Sequence, residues 1–198
     1  MKIGWALCGS FCTFERILRV IGTVTGSGAE VTPIFSEAAY GTDTRFGAAA
    51  GWVKRAEAVT GRVALHTITD AEPIGPKRMF DLLIVAPATG NTLAKLAHGI
   101  TDGPVTMAAK SHLRNGRPLL LGLSTNDGLS GSAQNIGTLM ARKNIYFVPY
   151  RQDDAEGKPS SLVADMERIP EIIPRVLQGM QPQPVLPAAP PAQCPADT

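Results

Sequence analysis

The chain has 198 residues, of which 44% are apolar and 18% charged, and its formal net charge is +2 at pH 7. These values are typical of one globular domain with a substantial core, and they give no basic field of the kind that nucleic-acid-binding proteins carry. No apolar run approaches the length of a membrane span, and three cysteines without a spaced framework argue against a disulfide-rich secreted protein. We therefore expect a cytoplasmic protein that binds neither nucleic acid nor a membrane.

Short apolar runs alternate with helical patterns from the start of the chain. The run at 3–8 predicts a first strand rather than a signal peptide, because glycines interrupt it and charges close it. A helix follows, with its apolar residues on one face: Phe14, Ile17, Leu18, Ile21 and Val24. A second strand is predicted at 31–36, where Pro33 favours a position near the edge of the sheet, and another at 62–68.

The clearest buried strand spans 81–89, which is apolar without alternation. Such strands belong to parallel sheets that are covered on both faces. Helices are predicted at 91–98 and 104–114, and a second fully apolar strand follows at 117–124.

The last third of the sequence continues the alternation. It predicts a helix at 132–144, a strand at 145–150 and a helix over 160–180 that Pro170 and Pro174 must kink or split.

The pattern as a whole predicts one α/β domain over residues 1–180, Rossmann-like or flavodoxin-like, with three layers and a mostly parallel sheet. Residues 181–198 are rich in proline and carry almost no charge, which predicts an extended tail without fixed structure.

Candidate binding residues follow the strands, because ligands of a doubly wound sheet bind at the carboxyl ends of its strands. Gly9, Ser10 and Phe11 follow the first strand and precede a helix N-terminus, which suits a phosphate. Gly9 stands alone, without the G-x-G-x-x-G pattern, and a capping role for Ser10 or Thr13 is equally consistent. Ser36, after the second strand, is either another phosphate donor or a plain turn residue.

The segment "APATGNT" at 86–92 places short uncharged polar side chains after the most buried strand. Such side chains suit the heteroatom edge of a flat neutral ring, although an N-cap cluster explains them equally well. The segment "STNDGLSGSAQN" at 124–135 repeats the theme with hydroxyls, asparagines and glycines. Three such loops together predict a neutral ring that bears a phosphate, such as flavin mononucleotide (FMN).

The sequence gives less support for a metal site or for nucleophilic catalysis. The three histidines are scattered, and no second pair accompanies Cys8 and Cys12 at ligand spacing, so we expect no metal site. The sequence shows no recognisable pattern of a nucleophile with its base, so the catalytic residues are not assigned. The basic cluster at 110–117 is either a solvated helix end or a patch that attracts an anionic substrate or partner.

The segments "GS" after the first strand, "APATGNTLAKLAHGITD" and "STNDGL" resemble the flavoprotein family of the cysteine-decarboxylase type, which binds FMN. The resemblance implies a single domain that forms homo-oligomers, by family habit trimers, with FMN between protomers. It also implies a set of cofactor-binding residues. These are Gly9, Ser10 and Phe11 in the first loop, Ser36 near the phosphate, Pro87, Ala88, Thr89, Asn91 and Thr92 beside the ring or ribityl chain, and Ser124 and Thr125 in the third loop.

The sequence departs from the decarboxylases of that family in two places. They carry a Pro-x-Met-Asn-x-x-Met-Trp segment in the third-loop region and a histidine in the first helix, whereas this chain has "STNDGLSG" and, in the helix, Glu15 and Arg16. Longer segments, such as "TRFGAAAGWVKRAEAVTG" and "PVTMAAKSHLRNGRPLLLGLSTNDGLS", resemble a narrower branch that oxidises a cyclic dicarboxylate in the mother cell of spore-forming bacteria.

That branch implies an oxidoreductase component that binds FMN and works with a partner chain expected to bind NADP(H). Arg45, Lys110 and Arg114 are candidates, by charge alone, to attract a dianionic substrate. Two alternatives stay open: an FMN-dependent decarboxylase of a cysteine-derived substrate, and a non-catalytic scaffold for the partner chain.

Overall fold

The computed structural model describes residues 1–187, and residues 188–198 lie outside the described part. The strands are β1 (Lys2–Leu7), β2 (Glu30–Phe35), β3 (Leu82–Ala88), β4 (Leu119–Thr125), β5 (Ile145–Phe147), β6 (Tyr150–Asp154) and β7 (Lys158–Ala164). The helices are α1 (Phe14–Gly26), α2 (Glu37–Gly41), α3 (Ala49–Thr60), α4 (Ile68–Ala71), α5 (Gly90–His98), α6 (Pro104–Leu113), α7 (Ala133–Met140) and α8 (Ile169–Leu177).

The strands form one sheet in the order β2-β1-β3-β4-β7-β6, with β5 also paired to β4. β1 to β5 run parallel, whereas β7 is antiparallel to the end of β4 and to β6. Every residue of β3 is buried, as its unbroken apolar sequence requires of a strand covered on both faces. The predicted Rossmann-like or flavodoxin-like α/β domain is therefore confirmed, and Pro33 lies on the edge strand β2.

Helices cover both faces of this sheet. α1 contacts α3 and α8 in one layer, and α5 contacts α6 and α7 in the other. The apolar face predicted for α1 is buried: Phe14, Ile17, Leu18, Ile21 and Val24. None of the helices in the described part of the chain combines the length and the apolar character that a membrane crossing needs.

The strand predicted at 62–68 is wrong. Only Leu65 pairs with the sheet, through an isolated bridge to Ile34 beside the edge strand. The chain then turns into α4, because the Thr67 side chain accepts a hydrogen bond from the Asp70 N–H and Asp70 caps Thr67 in return. This capping box ends the extended segment after a single paired residue.

The helix predicted over 160–180 is also wrong in its first part. Residues 158–164 form β7, and only α8 and the short 3-10 turn before it are helical. Leu162 and Ala164 are buried while Lys158 and Pro159 are exposed, so the segment covers the end of the sheet as a hairpin with β6. The strand predicted at 145–150 is accordingly divided, with β5 ending before β6 begins.

The first residues assigned to the proline-rich tail contact the domain. The Gln181 side chain donates to the Phe147 carbonyl oxygen at 2.7 Å and accepts from the Phe147 N–H at 2.9 Å. The Tyr150 N–H donates to the carbonyl oxygen of Val185 at 3.0 Å. Residues 181–187 therefore lie along β5 and β6, and the rest of the expected tail is outside the described residues.

Candidate functional site

A cleft of about 840 Å³ opens where β1, β3 and β4 end. Three segments, called the first, second and third loops, border it. They are residues 9–13 after β1, residues 89–91 after β3, and residues 124–127, which begin with the last two residues of β4. The β6–β7 hairpin, which the sequence did not predict, adds a fourth wall. The cleft thus lies at the carboxyl ends of parallel strands, where ligands of doubly wound sheets bind.

The first and third loops are joined by a hydrogen bond between side chains. The Ser10 Oγ lies 2.7 Å from the Ser124 Oγ, and the Thr13 hydroxyl donates to the Ser10 carbonyl oxygen at 2.7 Å. The chain then enters α1 through a 3-10 turn at Phe11–Thr13. The first N–H groups of a helix point out of its end, so this loop presents amide and hydroxyl donors together at the cleft.

In the second loop, one residue caps a helix and another is available to a ligand, so both interpretations of the "APATGNT" segment apply. The Thr89 side chain caps α5, since its Oγ1 accepts from the Thr92 N–H at 3.4 Å. Asn91, one residue into the helix, lines the cleft, is exposed and makes no side-chain hydrogen bond within the described residues. The capping role therefore belongs to Thr89, and Asn91 keeps both its donor and its acceptor for a ligand.

A carboxylate joins the third loop to the start of α7 and lies close to Gly90 of α5. Asp127 accepts hydrogen bonds from the hydroxyls of Thr125 and Ser132, the latter at 2.9 Å to each oxygen. A Cβ atom on Gly90 would lie 2.6 Å from the Ser132 Oγ and 2.7 Å from Asp127 Oδ1. Only glycine permits this close approach of the second and third loops.

Four of the predicted binding residues do not line the cleft. Pro87, Ala88 and Thr92 are buried behind it, and the Thr92 hydroxyl lies 3.1 Å from the Thr89 hydroxyl. Ser36 caps α2, its Oγ accepting from the Ala39 N–H at 3.2 Å. The other seven line one cleft: Gly9, Ser10, Phe11, Thr89, Asn91, Ser124 and Thr125.

Two cysteines lie close to the first loop and differ in exposure. Cys12 is exposed and lines the cleft. Cys8 is buried at the end of β1, and burial raises the pKa of its thiol to about 11, against the smaller opposing effect of a hydrogen bond with Thr92. The Cys8 thiol therefore stays protonated and belongs to the core.

Two cations at the cleft are paired with carboxylates. The Arg16 side chain binds Glu167 through two nitrogen–oxygen contacts, and its hydrogen bond holds the pKa of Glu167 below the usual range. Lys158 lies 2.9 Å from Asp153, and this hydrogen bond raises the pKa of the lysine. Neither positive charge is left without a counter-charge.

The residues present fit FMN, which carries a phosphate, a polyhydroxyl chain and a flat neutral ring. The N-terminus of α1 and the Ser10 hydroxyl suit an anion, and the Ser124 hydroxyl suits a chain of hydroxyls. Asn91 offers an amide that has no hydrogen-bond partner among residues 1–187, and the rings of Phe11 and Phe46 supply apolar surface at the same cleft.

Sequence reasoning missed Phe46, Asp127 and the hairpin. Phe46 comes from the loop between α2 and α3, which carries no motif, and only the fold brings it to the cleft. The carboxylate of Asp127 stands within the "STNDGL" segment, of which only the hydroxyls, asparagines and glycines suggested contact with a ligand. Its hydrogen bonds to two hydroxyls explain why it is tolerated there.

Residues 1–178 match the family described as Flavoprotein. The B subunit of dipicolinate synthase from Bacillus subtilis (strain 168) is 46% identical over 185 residues, which cover 93% of this chain and 92% of that protein. The crystal structure of the dipicolinate synthase B subunit from Bacillus halodurans C has a TM-score of 0.86 and 44% identity, covering 94% of this chain and 96% of that one.

The FMN-dependent cysteine decarboxylase SpaF has a TM-score of 0.66 at 21% identity, covering 90% of this chain and 97% of its own, which shows a shared fold. The match over residues 1–178 and the identity to the Bacillus subtilis protein establish the family to which the chain belongs. The protein belongs to the flavoprotein family and, within it, is grouped with the B subunits of dipicolinate synthase.

Proposed function

We propose that the protein is the flavin-binding component of a dipicolinate synthase. In this proposal it works with the A subunit of that enzyme to oxidise the cyclic product of dihydrodipicolinate synthase to pyridine-2,6-dicarboxylate during sporulation. The 46% identity to the Bacillus subtilis protein supports the assignment over nearly the whole chain. The proposed setting is the cytoplasm of the mother cell of a spore-forming bacterium.

The observation that carries the flavin assignment is the convergence of three loops at one cleft. Each loop lies at the end of a different parallel strand and brings hydroxyl or amide groups, and the Asp127 carboxylate is hydrogen-bonded to hydroxyls of the described residues. Capping alone explains Thr89, but it explains neither Asn91 nor the contact between Ser10 and Ser124. A neutral ring with a phosphate accounts for all of them.

Aromatising the substrate ring is a dehydrogenation, and a bound flavin supplies the hydride acceptor. The residues of this chain hold that acceptor in place. Ser10 and the N-terminus of α1 bind the phosphate region, while Asn91 and the N-terminus of α5 bind the heteroatom edge of the ring. The β6–β7 hairpin limits access of water from the side of Leu162, which is buried at the cleft wall.

The proposal includes an assembly. The protein forms homo-oligomers built on trimers, with the open cleft completed by a neighbouring copy. NADP(H) is assigned to the A subunit, so that the pair passes reducing equivalents between two cofactors. These assignments follow from the family resemblance and from the name of the Bacillus subtilis relative.

The test is an absorbance titration of the full-length protein with FMN, with and without the A subunit, followed by an assay of dipicolinate formation. Saturable perturbation of the flavin bands together with formation of dipicolinate supports the proposal. Association with the A subunit without any flavin binding would support a scaffold role instead. Conversion of a cysteinyl substrate to an enethiol would support the decarboxylase alternative.

A further inference from the structure

The substrate of the proposed reaction carries two carboxylates, so the cleft needs a cation that is not already neutralised. Arg16 and Lys158 line the cleft, but both pair with acidic side chains. Lys110 and Arg114 lie at the end of α6, and the Arg114 Cδ would be 3.1 Å from a Cβ on Gly75. That end of α6 leads into the start of β4, at the opposite end of the sheet from the cleft.

Arg45 is a cation beside the cleft, next to the lining residue Phe46, and it has no counter-charge within the described residues. Its guanidinium carbon lies 4.9 Å from the centroid of the Phe46 ring, and it forms no ion pair or hydrogen bond with any described residue. The Phe46 ring lines the cleft and is 43% exposed. The guanidinium therefore lies against a ring that borders the cleft.

The loop that carries this pair, residues 42–48, is held in one shape. The Thr44 N–H donates to the Gly47 carbonyl oxygen at 3.1 Å, and the Gly47 N–H donates back to the Thr44 carbonyl oxygen at 3.0 Å. The Phe46 N–H donates to the Thr44 hydroxyl at 3.2 Å, and Asp43 Oδ1 accepts from the Ala49 N–H at 2.8 Å at the start of α3. Arg45 and Phe46 lie at the tip of this turn.

The turn rests on the core through a glycine. Gly47 has a φ of 141°, a conformation that favours glycine, and a Cβ there would lie 3.0 Å from the Trp52 indole nitrogen. Trp52 is itself buried and packs edge-on against Phe14 with 5.6 Å between ring centroids. The tip is thus fixed relative to α1, whose N-terminus opens into the same cleft.

We propose that Arg45 and Phe46 form the substrate-recognition subsite of the cleft. The Arg45 guanidinium binds one carboxylate of a cyclic dicarboxylate, and the Phe46 ring contacts the face of its ring. A guanidinium presents a planar fork of donors that matches a carboxylate, and an aromatic face suits a flat ring. This inference rests on the proposed function, because it takes the substrate class from it.

The test is a calorimetric titration of the full-length protein, saturated with FMN, with two probes. Pyridine-2,6-dicarboxylate carries both carboxylates, and pyridine-2-carboxylate carries one. We expect the wild type to prefer the dicarboxylate by about tenfold or more, the scale of a charge-assisted hydrogen bond, and Arg45→Met to lose that preference. Phe46→Leu should lower the affinity for both probes by the same factor.

Arg114→Met is the matched control, because it removes an arginine at the other end of the sheet, and it should bind both probes as the wild type does. An absorbance titration with FMN on each variant shows separately whether the flavin site is intact. Equal preference for the dicarboxylate in Arg45→Met and wild type would overturn the inference, as would FMN-loaded wild type that binds no dicarboxylate. Arg45-dependent binding in a protein that takes up no FMN would support the subsite and refute the proposed function.

Discussion

The hydroxyls of Ser10 and Ser124 lie 2.7 Å apart and join the loop after β1 to the end of β4. These strands are separated by β3 in the sheet, so the hydrogen bond spans the carboxyl end of the strand between them. Both residues line the cleft. Because the contact connects two sides of one site, it links the shape of the cleft to the stability of the domain.

Replacing Ser10 with alanine tests this link. Ser10→Ala removes one neutral hydrogen bond and one hydroxyl of the proposed phosphate site, so we expect unfolding to become easier by about 1 kcal/mol and FMN affinity to fall about tenfold. Urea unfolding and an FMN titration measure the two effects. Ser27→Ala removes a hydroxyl that donates to the Val24 carbonyl oxygen at 2.7 Å, away from the cleft, and should leave FMN affinity unchanged.

Ser124→Ala and the double variant complete a thermodynamic cycle. If the two hydroxyls act through their mutual contact, the double variant should lose less stability than the sum of the two single losses, with a coupling of about 0.5–1 kcal/mol. Strictly additive losses would show that the two hydroxyls act independently in solution.

The close approach of Gly90 to the third loop predicts a steric effect. In Gly90→Ala, the new methyl group would overlap Ser132 and Asp127, which should cost about 1–3 kcal/mol of stability and weaken FMN binding by shifting both loops. Gly137→Ala is the control, since a Cβ there meets no atom within 4 Å. That variant should be as stable as wild type or more stable, because alanine favours helix over glycine. A Gly90→Ala protein of wild-type stability and affinity would refute the packing argument.

The contrast between the two cysteines predicts selective labelling. In a Cys194→Ser background, a thiol reagent at about pH 8 should modify Cys12, which is exposed, and spare Cys8, whose buried thiol has its pKa raised to about 11. Because Cys12 lines the cleft, saturating FMN should slow its labelling several-fold. Mass spectrometry of the labelled peptides measures both effects. Equal rates of Cys12 labelling with and without FMN would show that Cys12 does not lie in the flavin site.

His112 predicts how stability depends on pH. Burial lowers the pKa of its imidazole from 6.5 to about 4, and its Nε2 lies 2.9 Å from the Pro118 carbonyl oxygen. The unfolded chain therefore binds more protons between these values, and the stabilisation, which is complete above pH 6.5, is lost as the pH falls towards 4. A shift of this size corresponds to about 3 kcal/mol.

Urea unfolding at about pH 7 and about pH 4.5 measures that effect. His112→Gln keeps a donor for the carbonyl oxygen without a titrating ring, so its stability should fall less between the two pH values than that of wild type. His98→Gln, which changes an exposed histidine, should retain the wild-type difference. An equal loss in wild type and His112→Gln would assign the pH dependence to other groups.

The sequence predicts the parallel part of the fold well, because β3 and β4 are unbroken apolar runs that only a covered sheet accommodates. It does not predict the β6–β7 hairpin. The second half of that hairpin has apolar residues at Leu162 and Val163, and Met166 follows it, a spacing that a helix also satisfies. Pairing with β4 and β6 selects the strand. The prediction of a strand at 62–68 is wrong because Leu65 pairs with the edge strand β2, whereas the residues on either side of Leu65 do not pair with it.

Some residues of the site can likewise be predicted from the sequence, and others cannot. Residues that follow a strand directly, such as Ser10 and Asn91, can be placed at the cleft from the sequence, because parallel strands end at one edge. Ser36 also follows a strand, but its side chain turns to the backbone of α2. Phe46 and the hairpin reach the cleft through long-range packing, which no local pattern reports.

The most direct test of the flavin site compares wild type with Asn91→Ala in an FMN titration followed by absorbance. Asn91 is exposed and makes no side-chain hydrogen bond within the described residues, so its loss should leave the unfolding midpoint unchanged. Gln134→Ala, which removes an exposed amide from the first turn of α7, is the matched control.

We predict saturable FMN binding by wild type and by Gln134→Ala, and binding about tenfold weaker by a folded Asn91→Ala protein, as the loss of hydrogen bonds to the ring requires. Equal FMN affinity in all three proteins would remove Asn91 from the site, and a wild-type protein that binds no FMN, with or without its partner chain, would contradict the proposed flavin site.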